Sequence, residues 1–236
     1  MLTLRKHRIS RLEEFSDAVF GFALTLLVIT SAVPRSYDQL MLLLQGVPAF
    51  ACCFALLVWI WHEHDSFFQR YALEDGMTTV LNSALLFAVL LYIYPLKFMF
   101  DSFMLQVFGL QTNPPLIGMS LAQLANASVL YGLGFATLTG IFALMYLHAY
   151  RRRHALGMSA LDAFDARALA GHQLVSVSVG LFAMLFALIG PQWLAFLSPS
   201  SFALMGPGHY VYGNYMEKKR NAFAASLTAA NEPQVT

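Results

Sequence analysis

Asp17 makes the heaviest demands on its surroundings of any residue in this sequence. It stands six positions after Arg11 and heads an apolar stretch that runs from Ala18 to Val33. On a helix rising about 1.5 Å per residue, it sits roughly 9 Å beyond Arg11, toward a hydrocarbon interior. A carboxylate at the bilayer centre costs on the order of 3 kcal/mol, and less near an end, so Asp17 needs water or donors from another helix. Trp59-Ile60-Trp61-His62-Glu63-His64-Asp65 supplies such donors at the end of the next apolar stretch. Trp59 and His62 are three apart and share a helical face, whereas His64 does not face His62. One reading makes Trp59, Trp61, His62 and His64 the partners of a polar clamp on the first helix. The other makes the tryptophans interfacial belt residues and turns the histidines to the headgroups. The spacing of His62, His64 and Asp65 suits no zinc pattern, so no metal and no cofactor is expected. His148, His154, His172 and His209 are scattered, without a nucleophile–base pair or a phosphate loop. No catalytic residue is assigned, and enzyme function is not expected.

The elements that must carry these residues follow from composition. The chain of 236 residues is 58% apolar and 11% charged, with mean hydropathy +0.60. A soluble domain carries about 25% charged residues, so the solvent here is a bilayer. A net charge of +1 excludes the basic footprint of nucleic-acid binding. The adjacent Cys52 and Cys53 lie within an apolar run and read as packing residues. Arg5, Lys6, Arg8 and Arg11 precede the first apolar stretch as in a signal peptide, but Glu13, Glu14 and Asp17 interrupt it, so the segment is expected to be retained as a span.

Six stretches approach the roughly twenty apolar residues that a spanning helix needs. They lie at about 12–33, 40–64, 79–100, 121–149, 169–190 and 193–215, the last interrupted by Pro199 and Gly206-Pro207-Gly208. The expected fold is therefore all-α, a six-span transmembrane domain over 1–220 followed by a disordered polar tail, 221–236. Residues 101–118 read as an outer loop and 154–168 as a cytoplasmic linker. With the N-terminus inside, the cytoplasmic segments hold Arg5, Lys6, Arg8, Arg11, Arg70, Arg151, Arg152, Arg153, Arg167, Lys218, Lys219 and Arg220, against Arg35 and Lys97 outside. That asymmetry puts both termini in the cytoplasm and arises only with six spans.

Arg11-Leu12-Glu13-Glu14-Phe15-Ser16-Asp17 resembles the R-x-x-x-F-S-D motif of the transmembrane-protein-175 potassium channels. The continuation Asp17-Ala18-Val19-Phe20, the run Thr25-Leu26-Leu27, the Trp-x-x-His at Trp59 and His62 and the six-span plan are similar to bacterial members. The resemblance implies a multi-pass protein of a bacterial inner membrane that conducts K+ passively as a homotetramer, each chain supplying one wall of a central pore. It implies that Arg11, Phe15, Ser16 and Asp17 support folding and assembly around the first helix. It also implies a hydrophobic constriction at Phe22, Leu26 and Ile29, with Thr25 at the position associated with cation selectivity. Ala18, Phe22, Thr25, Leu26 and Ile29 fall within about a quarter of the helix circumference at 100° per residue, which is compatible with one stripe facing an axis. Phe22 stands where the family has Ile or Leu; the plainer reading is a packing aromatic. The plainer reading of Thr25 is a hydroxyl bonded to the Gly21 carbonyl. The chain has no T-V-G-Y-G filter and no intramembrane acidic ring, so selectivity must come from pore width, threonine oxygens and dewetting at an apolar neck.

The main competing class is a secondary transporter of a cation or small solute. Transporters tend to show inverted repeats and paired broken helices, but only the sixth stretch is broken, no matching interruption appears in the other half, and the first span is not repeated along the chain. A membrane scaffold without transport is the remaining alternative. Gly132, Gly134, Gly140, Ala170 and Gly171 would permit close helix contact wherever their partners lie.

Overall fold

The computed structural model describes residues 10–30, 33–111, 120–190 and 199–231, and every regular element within them is helical. Helix α1 spans Arg11–Ile29, α2 Tyr37–Gln45, α3 Val47–Tyr71, α4 Gly76–Phe108, α5 Leu121–Arg151, α6 Ala160–Ile189 and α7 Met205–Asn231, the last preceded by a 3-10 helix, Pro199–Leu204. By length and composition, α3, α4, α5 and α6 can cross a membrane.

Polar side chains set the helix starts. Ser10 and Glu13 form a reciprocal capping box at α1, Ser120 and Gln123 at α5, and Ser159 and Asp162 at α6. Each box satisfies amides that the first turn leaves without partners. The stretch expected as one span over 40–64 is instead two helices. Gly46 caps α2, and Pro48, which lacks an amide hydrogen, falls in the first turn of α3, where that loss costs nothing. The spanning helix proper therefore starts seven residues later than expected and reaches Tyr71.

Residues 101–108, expected in an outer loop, continue α4. This helix has 33 residues and passes through Pro95. It is about 50 Å long, well beyond a hydrocarbon core of about 30 Å, so it tilts or projects. Lys97, counted outside on charge, lies within it and bonds Asp101 one turn on at 2.6 Å.

The expected disordered tail is also corrected: 221–231 continue α7, and 232–236 lie outside the described residues. Five alanines in that stretch favour helix, and they outweigh the polarity on which the tail was read. Arg220 bonds Asp165 through two nitrogens at 2.7 and 3.0 Å, and Phe223 stacks on Phe164, tying α7 to the start of α6.

The core lies where α1, α3, α4 and α5 meet. Phe67, Phe68, Leu85, Phe142, Met145 and Tyr146 are all fully enclosed there. Helices α5 and α6 approach each other backbone to backbone. A Cβ on Gly132 would lie 2.6 Å from the Gly180 carbonyl oxygen, and one on Gly180 would lie 2.9 Å from that of Gly132. Missing side chains let the two backbones touch, which is how spanning helices gain contact without a hydrophobic drive between them. At the turn between α3 and α4, Ala72 closes α3 in the left-handed region and Asp75 caps α4. The Asp75 carboxylate accepts from the Thr78 amide and hydroxyl at 2.9 and 2.7 Å, from His148 Nε2 at 2.8 Å and from Arg152 Nε at 3.1 Å.

Gly132→Ala is expected to cost about 1–3 kcal/mol through overpacking against backbone. It should lower the melting temperature in detergent, while Gly213→Ala, with open space at its Cβ, leaves it unchanged or raised. Burial works against ionisation of Asp75, but the Thr78 and His148 hydrogen bonds prevail and hold its carboxyl well below the ordinary 3.8. A depressed folded-state value gives stability that is present above the unfolded value and lost as pH falls below it. Melting curves of the wild type and Asp75→Asn should therefore differ at pH 7 and converge as pH drops below about 4.

Candidate functional site

Helix α1 has two faces with opposite surroundings. Glu13, Ser16, Phe20, Ala23 and Leu27 recur at alternating spacings of three and four, and all are buried. They form the stripe that packs on α3 and α4. Ala18, Phe22, Thr25 and Ile29 lie about 180° around the helix. These four are uncovered by the rest of the chain, Phe22 at 56% exposure and Ile29 at 68%. Leu26 stands at the edge of that stripe and packs partly against the core. Phe15 is on the uncovered side too, and the Thr25 hydroxyl donates to the Gly21 carbonyl at 3.0 Å.

The packed stripe is pinned at its N-terminal end by a chain of hydrogen bonds whose directions can be assigned. The Ser16 hydroxyl donates to the Leu12 carbonyl at 2.7 Å, so toward Asn82 it can only accept. Asn82 Nδ2 therefore donates to Ser16 Oγ at 2.8 Å, and its Oδ1 is turned toward His64 Nε2, also at 2.8 Å. That geometry requires the proton on Nε2 of His64. Ser16, His64 and Asn82 are each at most 1% exposed, and the His64 ring sits between Phe20 and Phe68 with centroids at 5.4 and 4.7 Å. One turn around the rim, Trp61 Nε1 donates to Asp17 Oδ1 at 2.8 Å.

Four donors on the second stretch were candidates for the clamp, and the structure brings two of them to the motif. Trp61 and His64 are three residues apart on the face of α3 toward α1. Trp59 and His62 make a similar pair on other sides: His62 is exposed, and Trp59 packs into the core and lines a cavity on the far side of α3. The 59/62 and 61/64 pairs have the same spacing, and spacing alone does not rotate a helix, so the four candidates could not be narrowed to Trp61 and His64 before the packing was known. Asn82 was missed altogether. The signal for it was a lone amide in the apolar third stretch, at the level of Asp17. Arg11 is exposed at the head of α1. Cys53 is buried and unoxidised, with Cys52 beside it half-buried. Among the described residues no three His, Cys, Asp or Glu side chains converge as a metal site.

A family model described as the endosomal/lysosomal potassium channel TMEM175 matches residues 11–92, the segment that contains α1, α3 and Asn82. A protein named potassium channel from Marivirga tractuosa is 36% identical over 220 residues, covering 89% of this chain and 88% of that one. Among solved structures, a variant of the potassium channel MtTMEM175, in complex with a nanobody–MBP fusion, superposes with TM-score 0.79 at 33% identity, over 92% of this chain and 97% of that one. A lysosomal potassium-selective channel TMEM175 homolog from Chamaesiphon minutus shares the fold with TM-score 0.56 at 23% identity, over 86% of this chain and 96% of the other. With α1 braced by the buried Ser16–Asn82–His64 link, and with close relatives along nearly its whole length, this chain belongs to the TMEM175 potassium channel family.

Proposed function

We propose that this chain forms a passive, potassium-permeable channel in which four copies stand around one axis and α1 of each lines the conduit. The reading places six spans in a bacterial inner membrane, with both termini in the cytoplasm. One observation carries it: the chain buries one stripe of α1 against itself and leaves the opposite stripe, Phe22, Thr25 and Ile29, without a cover. Bulky apolar residues left bare on a helix braced from behind are suited to a neck that gates by dewetting. In this reading Phe22, Leu26 and Ile29 form the constriction, and Thr25 contributes the polar ring. Selectivity without a carbonyl filter then rests on the width of that neck and on the threonine oxygens. Ser16 and Asp17, with Trp61, His64 and Asn82, form the brace that sets the rotation of α1, while the exposed Arg11 and Phe15 support assembly around it. No chemical step is assigned to the protein.

Purified protein in liposomes with an outward potassium gradient and a flux dye should pass K+ without a coupling ion. Flux that saturates and requires a co-substrate would instead indicate a transporter. Phe22→Ala should raise basal flux several-fold while the assembled state is unchanged; unaltered flux from a normally assembled protein would remove Phe22 from the neck.

Asn82→Val leaves Ser16 and His64 buried without their partner and should cost about 1–3 kcal/mol. The loss is read as a lower melting temperature in detergent together with a smaller tetramer fraction on light scattering. Asp17→Asn should weaken assembly more than it changes ion preference. A well-assembled Asp17→Asn protein with altered selectivity would place Asp17 on the ion path.

A further inference from the structure

Two histidines that stand far apart in the sequence meet where α7 leans on α6. The ring centroids of His172 and His209 are 3.9 Å apart, with the planes inclined by 38°. Both residues are partly exposed, so protons can reach them. His209 Nε2 lies 2.9 Å from Ser176 Oγ, and its Nδ1 is enclosed without a partner. With one nitrogen committed and the other sealed, His209 has no position open to a metal ion. A second proton on that ring would leave a buried N–H without an acceptor.

The groups around the pair offer no counter-charge. Tyr212 stands one turn along α7 with its ring centroid 6.2 Å from that of His172, and its hydroxyl donates to the Ala168 carbonyl at 3.2 Å. Arg167 of α6 and Lys219 of α7 act on Tyr212, and both are cationic. Asp165 is taken by Arg220, and Glu63 of α3 meets α6 at the buried Gln173. Helix α5 carries no acid, base or histidine before His148, and the 3-10 helix Pro199–Leu204 carries none. Among the described residues, no carboxylate acts on either ring.

The segment that holds His209 depends on α6 for its helical form. Gly206, Pro207, Gly208 and Gly213 all fall in the first turns of α7, and glycine and proline are the poorest helix formers. We propose that His172 and His209 form a proton-operated latch between α6 and α7. With at most one charge on the pair, the rings stay in contact and the start of α7 is docked. Acidification below the ordinary imidazole range, about 6.5, charges both rings, and like charges in contact without a carboxylate between them repel. The first turns of α7 then leave α6 and lose their helix, while Arg220 on Asp165 and Phe223 on Phe164 keep the far end attached. The released form takes up the extra protons, so the docking is present above about pH 6.5 and lost progressively below it. The latch belongs to a single chain and does not depend on how ions cross.

The test is hydrogen–deuterium exchange of the full chain in phosphatidylcholine nanodiscs, read by mass spectrometry and corrected for the intrinsic pH dependence of exchange. Between about pH 7.5 and pH 5.5 the corrected exchange of 205–216 should rise about tenfold, because each proton taken up on release shifts the equilibrium up to tenfold per pH unit. Peptides of 128–146 in α5 should not change. His209→Gln, which can keep a hydrogen bond to Ser176 but takes no proton, should abolish the rise. His172→Phe, which keeps a ring against His209 without its charge, should shrink the rise and move it to lower pH. Equal exchange of 205–216 at both pH values in the wild type would overturn the proposal. An undiminished rise in His209→Gln would do the same, as would a rise shared by the α5 peptides, which marks loosening of the whole bundle. Size-exclusion profiles identify a variant that fails to fold, and the other variant then decides: an unshifted, full-sized rise in His172→Phe also sinks the latch.

Discussion

The rotation of α1 depends on one buried amide. Asn82 gives a hydrogen to Ser16 and faces its oxygen to His64, so a single side chain of α4 joins α1 and α3 at a depth where water is scarce. Hydrogen bonds between spanning helices contribute individually little, typically well under 2 kcal/mol. Their directionality does more than their strength. An apolar helix can turn about its axis at small cost, because one leucine packs much like another. A serine that must meet an amide cannot. With Ser16 fixed, Phe20, Ala23 and Leu27 follow into the core at the next turns, and the residues opposite are left outside.

The rest of the chain supports that brace from two sides. Edge-to-face aromatic contacts of Phe67 and Tyr71 with Tyr146 join α3 to α5, and Asp75 fastens the start of α4 to the end of α5. Helix α6 then adheres to α5 through bare backbone at Gly132 and Gly180, and α7 leans on α6 through Tyr212, Arg220 and Phe223.

Much of this was legible in the sequence, and the gaps have physical causes. The heptapeptide at Arg11–Asp17 announced itself because a carboxylate at the head of an apolar helix needs a reason. The class of fold was plain from a composition that no aqueous domain would carry. The pairing partners were only half legible: an i,i+3 spacing names two residues on one face without saying which face is turned inward. Asn82 escaped because it lacks charge and sits alone, although an amide in hydrocarbon demands partners as surely as an acid does. The small residues at 132 and 171 were correctly seen as places for close approach, but Gly180 and Tyr212 as the groups that approach them came only from the packing. At the C-terminus polarity was weighed above helix propensity, and Ala222 to Ala230 showed the error.

Thr25 carries a last implication. Its hydroxyl proton is committed to the carbonyl of Gly21 in its own helix, so what the oxygen turns outward is electron density alone. A group in that state can solvate a positive particle and has nothing to offer a negative one. On the uncovered stripe of α1, the only polar oxygen between Phe22 and Ile29 thus has a fixed electrical sense, set by a backbone carbonyl one turn below it.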